Sequence, residues 1–285
     1  MNVLPYHHPD DKQFSLVFVT DDRAAFEERL QGERDKDNVD VKQFTDSVDG
    51  QTRYAVFTDT HREADSVPSF DDTRELRQWL RSEFDDSLPV INAVYTFFDE
   101  LMSTKRDRGD PLEAYKQIEL EKIPEILNSV QWRQTVPEVG AELLSEFVLT
   151  HPMPNTNHRT GIILLDRYLQ SFDGDVSIPD TGETGEWYDW ASNYVEDSKR
   201  LLTLRRRYRI FRYAQKLGYD AIERKHDVLI RLEEYDIHRG DAFDHFTREH
   251  LARTERFVQT ILDRTDAAHL ADIQDDGKRA FVSRL

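Results

Sequence analysis

The chain has 285 residues, 38% of them hydrophobic and 11% aromatic, enough apolar material for a core in one large domain or two small ones. Asp and Glu number 56 against 38 Lys and Arg, a net charge of -18; the 34 Asp and mere 10 Lys suit a high-salt cytoplasm, where salt screens a dense negative surface, and speak against broad nucleic-acid binding. No cysteine is present, which excludes disulfides, thiolate metal sites and Cys nucleophiles, and no window approaches the apolar length of a membrane span, so the expectation is a soluble, cytoplasmic protein.

In chain order, residues 1–62 read as a small α+β module. Strands are expected at 14–20, 39–45 and 52–60, and a helix at 21–31, with Asp49-Gly50 as a turn between the last two strands. Residues 61–69 read as a polar linker. From residue 70 the pattern is helical: 70–84, 88–103 and, after a loop at 105–110, 111–132 with a kink at Pro124. Val136–Thr150 and Gly161–Phe172 are apolar on most of their circumference, as central helices are. Asp173–Glu186 reads as a surface loop. Helices are expected over 187–217, 219–235 and 241–265. The resulting class is mainly α: a helical core over 70–185, C-terminal helices over 186–270 and a polar tail over 271–285.

Between the two central helices lies His151-Pro-Met-Pro-Asn-Thr-Asn-His-Arg-Thr160. Two prolines stop the first helix, and the second is expected to start near Arg159. A helix's first turn carries partial positive charge and suits an anion. Arg159 adds a cation with a bidentate fork, and Asn155 and Asn157 can cap the helix or bond a ligand. His151 is a candidate general base at neutral pH. On these residues alone, a capped interhelical turn with a surface histidine remains the competing explanation.

The same ten residues resemble the Fic/Doc motif H-x-F-x-[D/E]-x-N-x-R, carried by a loop between two central helices of an all-helical core. The resemblance implies a Fic-like core and transfer of a nucleotidyl or phosphoryl group from ATP, or another nucleoside triphosphate, to a Ser, Thr or Tyr hydroxyl of a target protein. It makes His151 the catalytic base and Met153 the loop anchor. Thr156, Asn157, His158, Arg159 and Thr160 become the nucleotide phosphate-binding stretch. Mg²⁺ would be held at the acidic position, here Asn155, whose amide brings no charge. His158 replaces the small residue of AMP-transferring members, and Ile162 stands where a second Arg is expected; both are closer to Doc-like phosphotransferases. A catalytically degenerate binding or regulatory protein is the alternative, and inhibition would come from an antitoxin or regulatory chain. The inhibitory-helix pattern finds only Thr45–Gly50, in a strand and turn.

Lys199–Arg212 is rich in arginine, with Arg205, Arg209 and Arg212 on one helical face and Leu201, Leu204, Tyr208 and Phe211 on another. It reads as an amphipathic helix whose arginines pair with carboxylates; a phosphate-facing wall and a nucleic-acid contact are the alternatives. His245 and His250 are five apart, wrong for zinc on one helical face, and read as surface or interface histidines.

Overall fold

The computed structural model describes residues 1–10, 14–33, 39–45, 50–59, 78–79, 81–82, 84–109, 116–179, 186–225 and 228–285. The expected linker 61–69, most of the helix 70–84 and residues 46–49 of the Thr45–Gly50 string lie outside them. The protein is mainly α with a small sheet-containing N-terminal region. It divides into two compact units, Met1–Arg62 with Glu196–Glu249, and Glu63–Val195 with His250–Leu285. The N-terminal module is therefore completed by residues far along the chain, and does not end at residue 62.

In the first unit, a strand that was not expected, β1 (Val3–Pro5), precedes β2 (Phe14–Thr20), α1 (Arg23–Glu33), β3 (Val39–Thr45) and β4 (Thr52–Asp59), which follow the predicted order. Antiparallel pairing gives the sheet β2-β4-β3. A register shift between Leu16 and Phe18 turns both Leu16 and Val19 inward, three residues apart, where strict alternation would expose one of them.

The span 219–235 is no helix. Gly218, at φ 90°, ends the long helix over Glu186–Lys216, and Ala221–Glu223 pairs antiparallel with Leu229–Arg231 and parallel with β1. These two strands are β5 and β6. Ile222 and Ile230 face each other, fully buried, in a core shared with Leu4, Leu204 and Phe211. The apolar spacing in this stretch was compatible with either period; the waiting edge of β1 decides for strand.

The second unit is helical. Its elements are α2 (Leu88–Arg108), α3 (Lys122–Ser129), α4 (Val136–Thr150) and α5 (Asn157–Gln170). Two long helices contribute to both units: α6 (Glu186–Lys216) gives it residues up to Val195, and α7 (Ala242–Arg264) gives it residues from His250. α8 (Lys278–Arg284) closes the chain. The expected loop at 105–110 is taken up by α2, which runs to Arg108 and ends on Gly109 at φ 74°. Pro124 makes no kink. It sits in the first turn of α3, where its missing N–H would have no intrahelical partner, and residues 116–121 ahead of it are not helical.

α4 and α5 form an antiparallel pair with a reciprocal fit. A Cβ on Gly140 would stand 2.9 Å from Leu165 Cδ1, and one on Gly161 would stand 2.9 Å from Leu144 Cδ1 and 3.2 Å from Phe147. Each helix thus offers a notch that the other fills with a Leu, and Tyr168, Leu144 and Phe147 are fully buried around it. Thr135 N–H donates to Glu138 Oε2 at 2.9 Å and starts α4.

The expected polar tail is part of this core. Val136 N–H donates to Ile273 O and Asp275 N–H to Gln134 O, which ties residues 273–275 to the start of α4. Tyr168 Oη donates to Asp275 Oδ2 at 2.7 Å; burial, with the Asp275 charge, pushes its phenol up. Phe281 is fully buried, stacked on Trp132 at 5.7 Å and edge-on to Tyr168. Residues 274–279 hold no apolar side chain, so composition read the tail as solvent-exposed.

All four tryptophans fall between residues 79 and 190, inside the second unit, so their fluorescence reports its unfolding. Phe281→Ala is expected to cost that unit about 3–5 kcal/mol in urea denaturation, as large buried rings do; a change within experimental error would mean that the tail is dispensable. Gly161→Ala overpacks the α4–α5 contact and is expected to cost about 1–3 kcal/mol by the same measurement, whereas Ala at exposed Gly174, with nothing within 4 Å, should leave the midpoint unmoved.

Candidate functional site

The connection between α4 and α5 is six residues, His151–Thr156. His151 is the C-cap of α4, in the left-handed region at φ 60° and ψ 55°, with its N–H donated to Phe147 O at 2.9 Å. Thr156 caps α5 and is also left-handed, at φ 56°. Among the described residues only Asp266 joins them as a non-glycine with positive φ. Left-handed backbone is cheapest for glycine, tolerable for histidine and costly for a β-branched threonine. The loop therefore stores strain at both ends.

What holds it is the interior. Met153 is fully buried in the helical core. Asn157, 2% exposed, reaches back to that residue twice: Oδ1 accepts Met153 N–H at 2.9 Å and Nδ2 donates to Met153 O at 2.8 Å. Asn155 Oδ1 accepts Thr156 N–H at 2.7 Å. α5 starts at Asn157, two residues before the predicted position, and Thr160 N–H makes its first turn's bond to Thr156 O. Thr160 itself is buried, its Oγ1 3.5 Å from Thr156 Oγ1. Of the predicted phosphate-binding residues, Asn157 and Thr160 thus face inward and maintain the loop. His151, Asn155, Thr156, His158 and Arg159 keep partial exposure and remain accessible to a ligand.

Two neighbours of the loop escaped sequence reasoning. Arg159 lines a cavity of about 70 Å³ with Leu101, Ile162, Ile163, Asp166, Ile178 and Pro179. That volume admits two waters or one compact polyatomic anion. Asp166 lies two turns beyond Arg159, a spacing that could have revealed it, and accepts Ile178 N–H at 2.7 Å and Gln170 Nε2 at 2.9 Å. Burial raises its carboxyl above the ordinary range, against the lowering effect of the Ile178 N–H and Arg167. The second neighbour is the segment before α3, where Glu119 N–H donates to Pro152 O at 2.9 Å. The Glu119 carboxylate pairs with Lys116 and, at 2.6 Å, with Lys122. No sequence pattern announces this contact, since it depends on the path of residues 116–121.

A Mg²⁺ ion does not fit these side chains well. Asn155 brings no negative charge and its oxygen already accepts a backbone N–H. Among the described residues, no three of His, Asp and Glu are grouped as metal ligands are.

The other predicted features resolve differently. The Arg-rich part of α6 does bury Leu201, Leu204 and Phe211, and its arginines reach hydroxyls, carbonyls and rings as well as carboxylates. Arg200 pairs with Glu196 and Asp197, whereas Arg205 bonds Thr247 and lies 4.0 Å over Phe243, and Arg212 donates to Ile237 O and Arg239 O. His250 is not at the surface. It is fully buried, with a ring nitrogen 2.8 Å from Ser145 Oγ, satisfying two polar groups inside the helical core.

The chain belongs to the family of unknown function DUF8172, whose pattern matches residues 1–285. No curated protein and no solved structure matches it. No helix among the described residues is long and apolar enough to cross a membrane.

Asn157→Ala would leave the buried N–H and C=O of Met153 without partners. Each such loss costs about 1–3 kcal/mol, so a drop of about 2–4 kcal/mol in urea denaturation is expected, with Asn157→Asp in between because it keeps the acceptor. A neutral Asn157→Ala would show that the clamp does not hold the loop.

Proposed function

We propose that the His151–Thr160 loop is a phosphoryl- or nucleotidyl-transfer site of Fic/Doc-like type, acting in the cytoplasm on a hydroxyl of another protein. The observation that carries this reading is the backbone at His151. A helix C-cap at φ 60° is the usual place for glycine, and this sequence places an imidazole there at a conformational cost. Strain held by a buried anchor and an asparagine clamp presents one titratable side chain, half-exposed, at the mouth of a helix-terminus loop.

In this reading His151 takes the proton of the incoming Ser, Thr or Tyr hydroxyl as its oxygen attacks a phosphorus of the triphosphate. The bond to the leaving phosphate breaks as the new P–O bond forms. Arg159 and the positive end of α5 hold the phosphate charge. General-base assistance of this kind supplies about 10²–10⁴ in rate. Lys116 and Lys122, brought beside the loop through Glu119, add positive potential. No step requires Asn155 to hold a metal.

A second reading is a degenerate loop that binds without transferring. The cavity beside Arg159 is far smaller than a nucleotide, and Asn157, a phosphate ligand in the family pattern, spends its amide on Met153.

The two are separated by incubation in high salt with α- and γ-labelled ATP and a lysate of candidate targets, using His151→Gly as the control. That variant relieves the left-handed strain and removes the base, so stability is expected to hold or rise by about 1 kcal/mol while label transfer falls at least 10²-fold. Transfer that survives the substitution would remove His151 from the mechanism. Nucleotide binding with no transfer in the unmodified protein would establish the binding module.

A further inference from the structure

The acidic surplus of this chain makes one feature of the first unit conspicuous. Arg207 on α6 and Arg224, just after β5, both stand against Tyr6, the residue that follows β1. Arg207 Nε donates to Tyr6 Oη at 3.4 Å, and the Arg224 guanidinium lies 5.7 Å from the Tyr6 ring centre. Neither arginine has a carboxylate within 4 Å among the described residues, although Asp and Glu total 56. Arg224 Nη1 donates to Lys199 O at 2.8 Å, but its Nε is sequestered from solvent and has no acceptor. Buried guanidinium N–H groups without acceptors are rare in folded proteins.

The electrostatics agree. Burial pushes the Tyr6 phenol up, yet the fields of Arg207 and Arg224, the Arg207 hydrogen bond and the field of Arg206 carry it below its ordinary value. Arg224 is lowered by burial, with Tyr6 alone acting to raise it. Desolvation brings Arg206 down to about 10, Tyr6 opposing and Arg205, Arg224 and Arg207 assisting, and it stays cationic at neutral pH. Arg207 and Arg224 therefore converge on a phenol, a weak acceptor, with no carboxylate beside either among the described residues. Such an arrangement gains most from an anion that arrives from outside, because guanidinium forks match the oxygens of a phosphoryl group two at a time.

We propose that Arg207, Arg224 and Tyr6 form a binding site for a small phosphoryl-bearing anion, with Arg206 at its edge. Arg207 and Arg224 grip two phosphoryl oxygens, and the Tyr6 hydroxyl donates to a third. The site is compact and partly buried, set in a chain of charge -18, which favours a small ligand over the extended backbone of a nucleic acid. It is independent of the His151 loop.

The probe is inorganic phosphate at millimolar concentration, far below the levels at which it stabilises proteins generally, with potassium chloride at matched ionic strength as the reference. Calorimetric titration is expected to show saturable binding, and Tm to rise on the order of 2 °C near saturation. Arg207→Gln and Arg224→Gln should each lose both effects, while Arg159→Gln should keep them. Should the Gln variants not fold, Arg207→Lys keeps the charge without the fork and is expected to weaken binding at least tenfold. A spectroscopic readout locates the ligand: bound phosphate should move one tyrosine's ionisation to higher pH, and Tyr6→Phe should abolish that shift. No saturable binding, or binding that survives Arg207→Gln with Arg224→Gln, overturns the proposal. So does binding with no tyrosine response, which would place phosphate elsewhere. Binding of a single-stranded oligonucleotide, lost in these variants while free phosphate is ignored, would replace it with a nucleic-acid contact.

Discussion

The close approach of α4 and α5 governs the candidate loop. Two helices without side chains at Gly140 and Gly161 meet more closely than any pair of alanines would permit, and Leu165 and Leu144 fill the notches. A six-residue connection between helices so near must turn sharply at both ends. That geometry accounts for His151 and Thr156 adopting positive φ, since the chain has no room for a gentler path. The loop's conformation is therefore a consequence of interhelical packing, and the Met153–Asn157 clamp selects one version of it.

Clamp and strain act in opposite directions on stability, and their coexistence is informative. Glycine at 151 and asparagine or glycine at 156 would close the same turn at lower cost. The sequence keeps His and Thr instead and offsets them with a fully buried Met and two buried hydrogen bonds from Asn157. A turn that served only to reverse the chain would have no use for this arrangement. An imidazole held in a fixed direction would.

Much of the helical core was legible because its signals are local. The apolar circumference of 136–150 and 161–172, the two prolines between them and the asparagines after them fix the pair and its loop without reference to the rest of the chain. The strands at 14–20, 39–45 and 52–59 were legible for the same reason, through β-rich runs of seven or eight residues. What escaped is non-local. Residues 221–223 and 229–231 become strands because β1, over two hundred residues earlier, offers an edge. Phe281 is core because Trp132 and Tyr168 leave space for a third ring. His250 is buried because Ser145 answers it. Asp166 sat at a helical spacing from Arg159, but only the arrival of Ile178 and Pro179 turns that spacing into a cavity.

The two cationic places differ in a way that bears on what each can hold. Arg159 shares its cavity with Asp166, so an anion entering there meets a carboxylate as well as a guanidinium. Burial raises Asp166, which reduces that opposition as its proton returns at lower pH. Its folded-state pKa lies above the unfolded one, so the charged form costs stability as pH rises through that interval, and a bound phosphate would deepen the cost. Among the described residues Arg207 and Arg224 face no such opponent, and their mutual repulsion would fall with an anion between them. The first arrangement suits transient occupation by a phosphate in transfer, where tight ground-state binding would slow release. The second suits retention. In an acidic chain, two guanidinium groups set around a phenol are a place where an anion from outside would complete the charge balance.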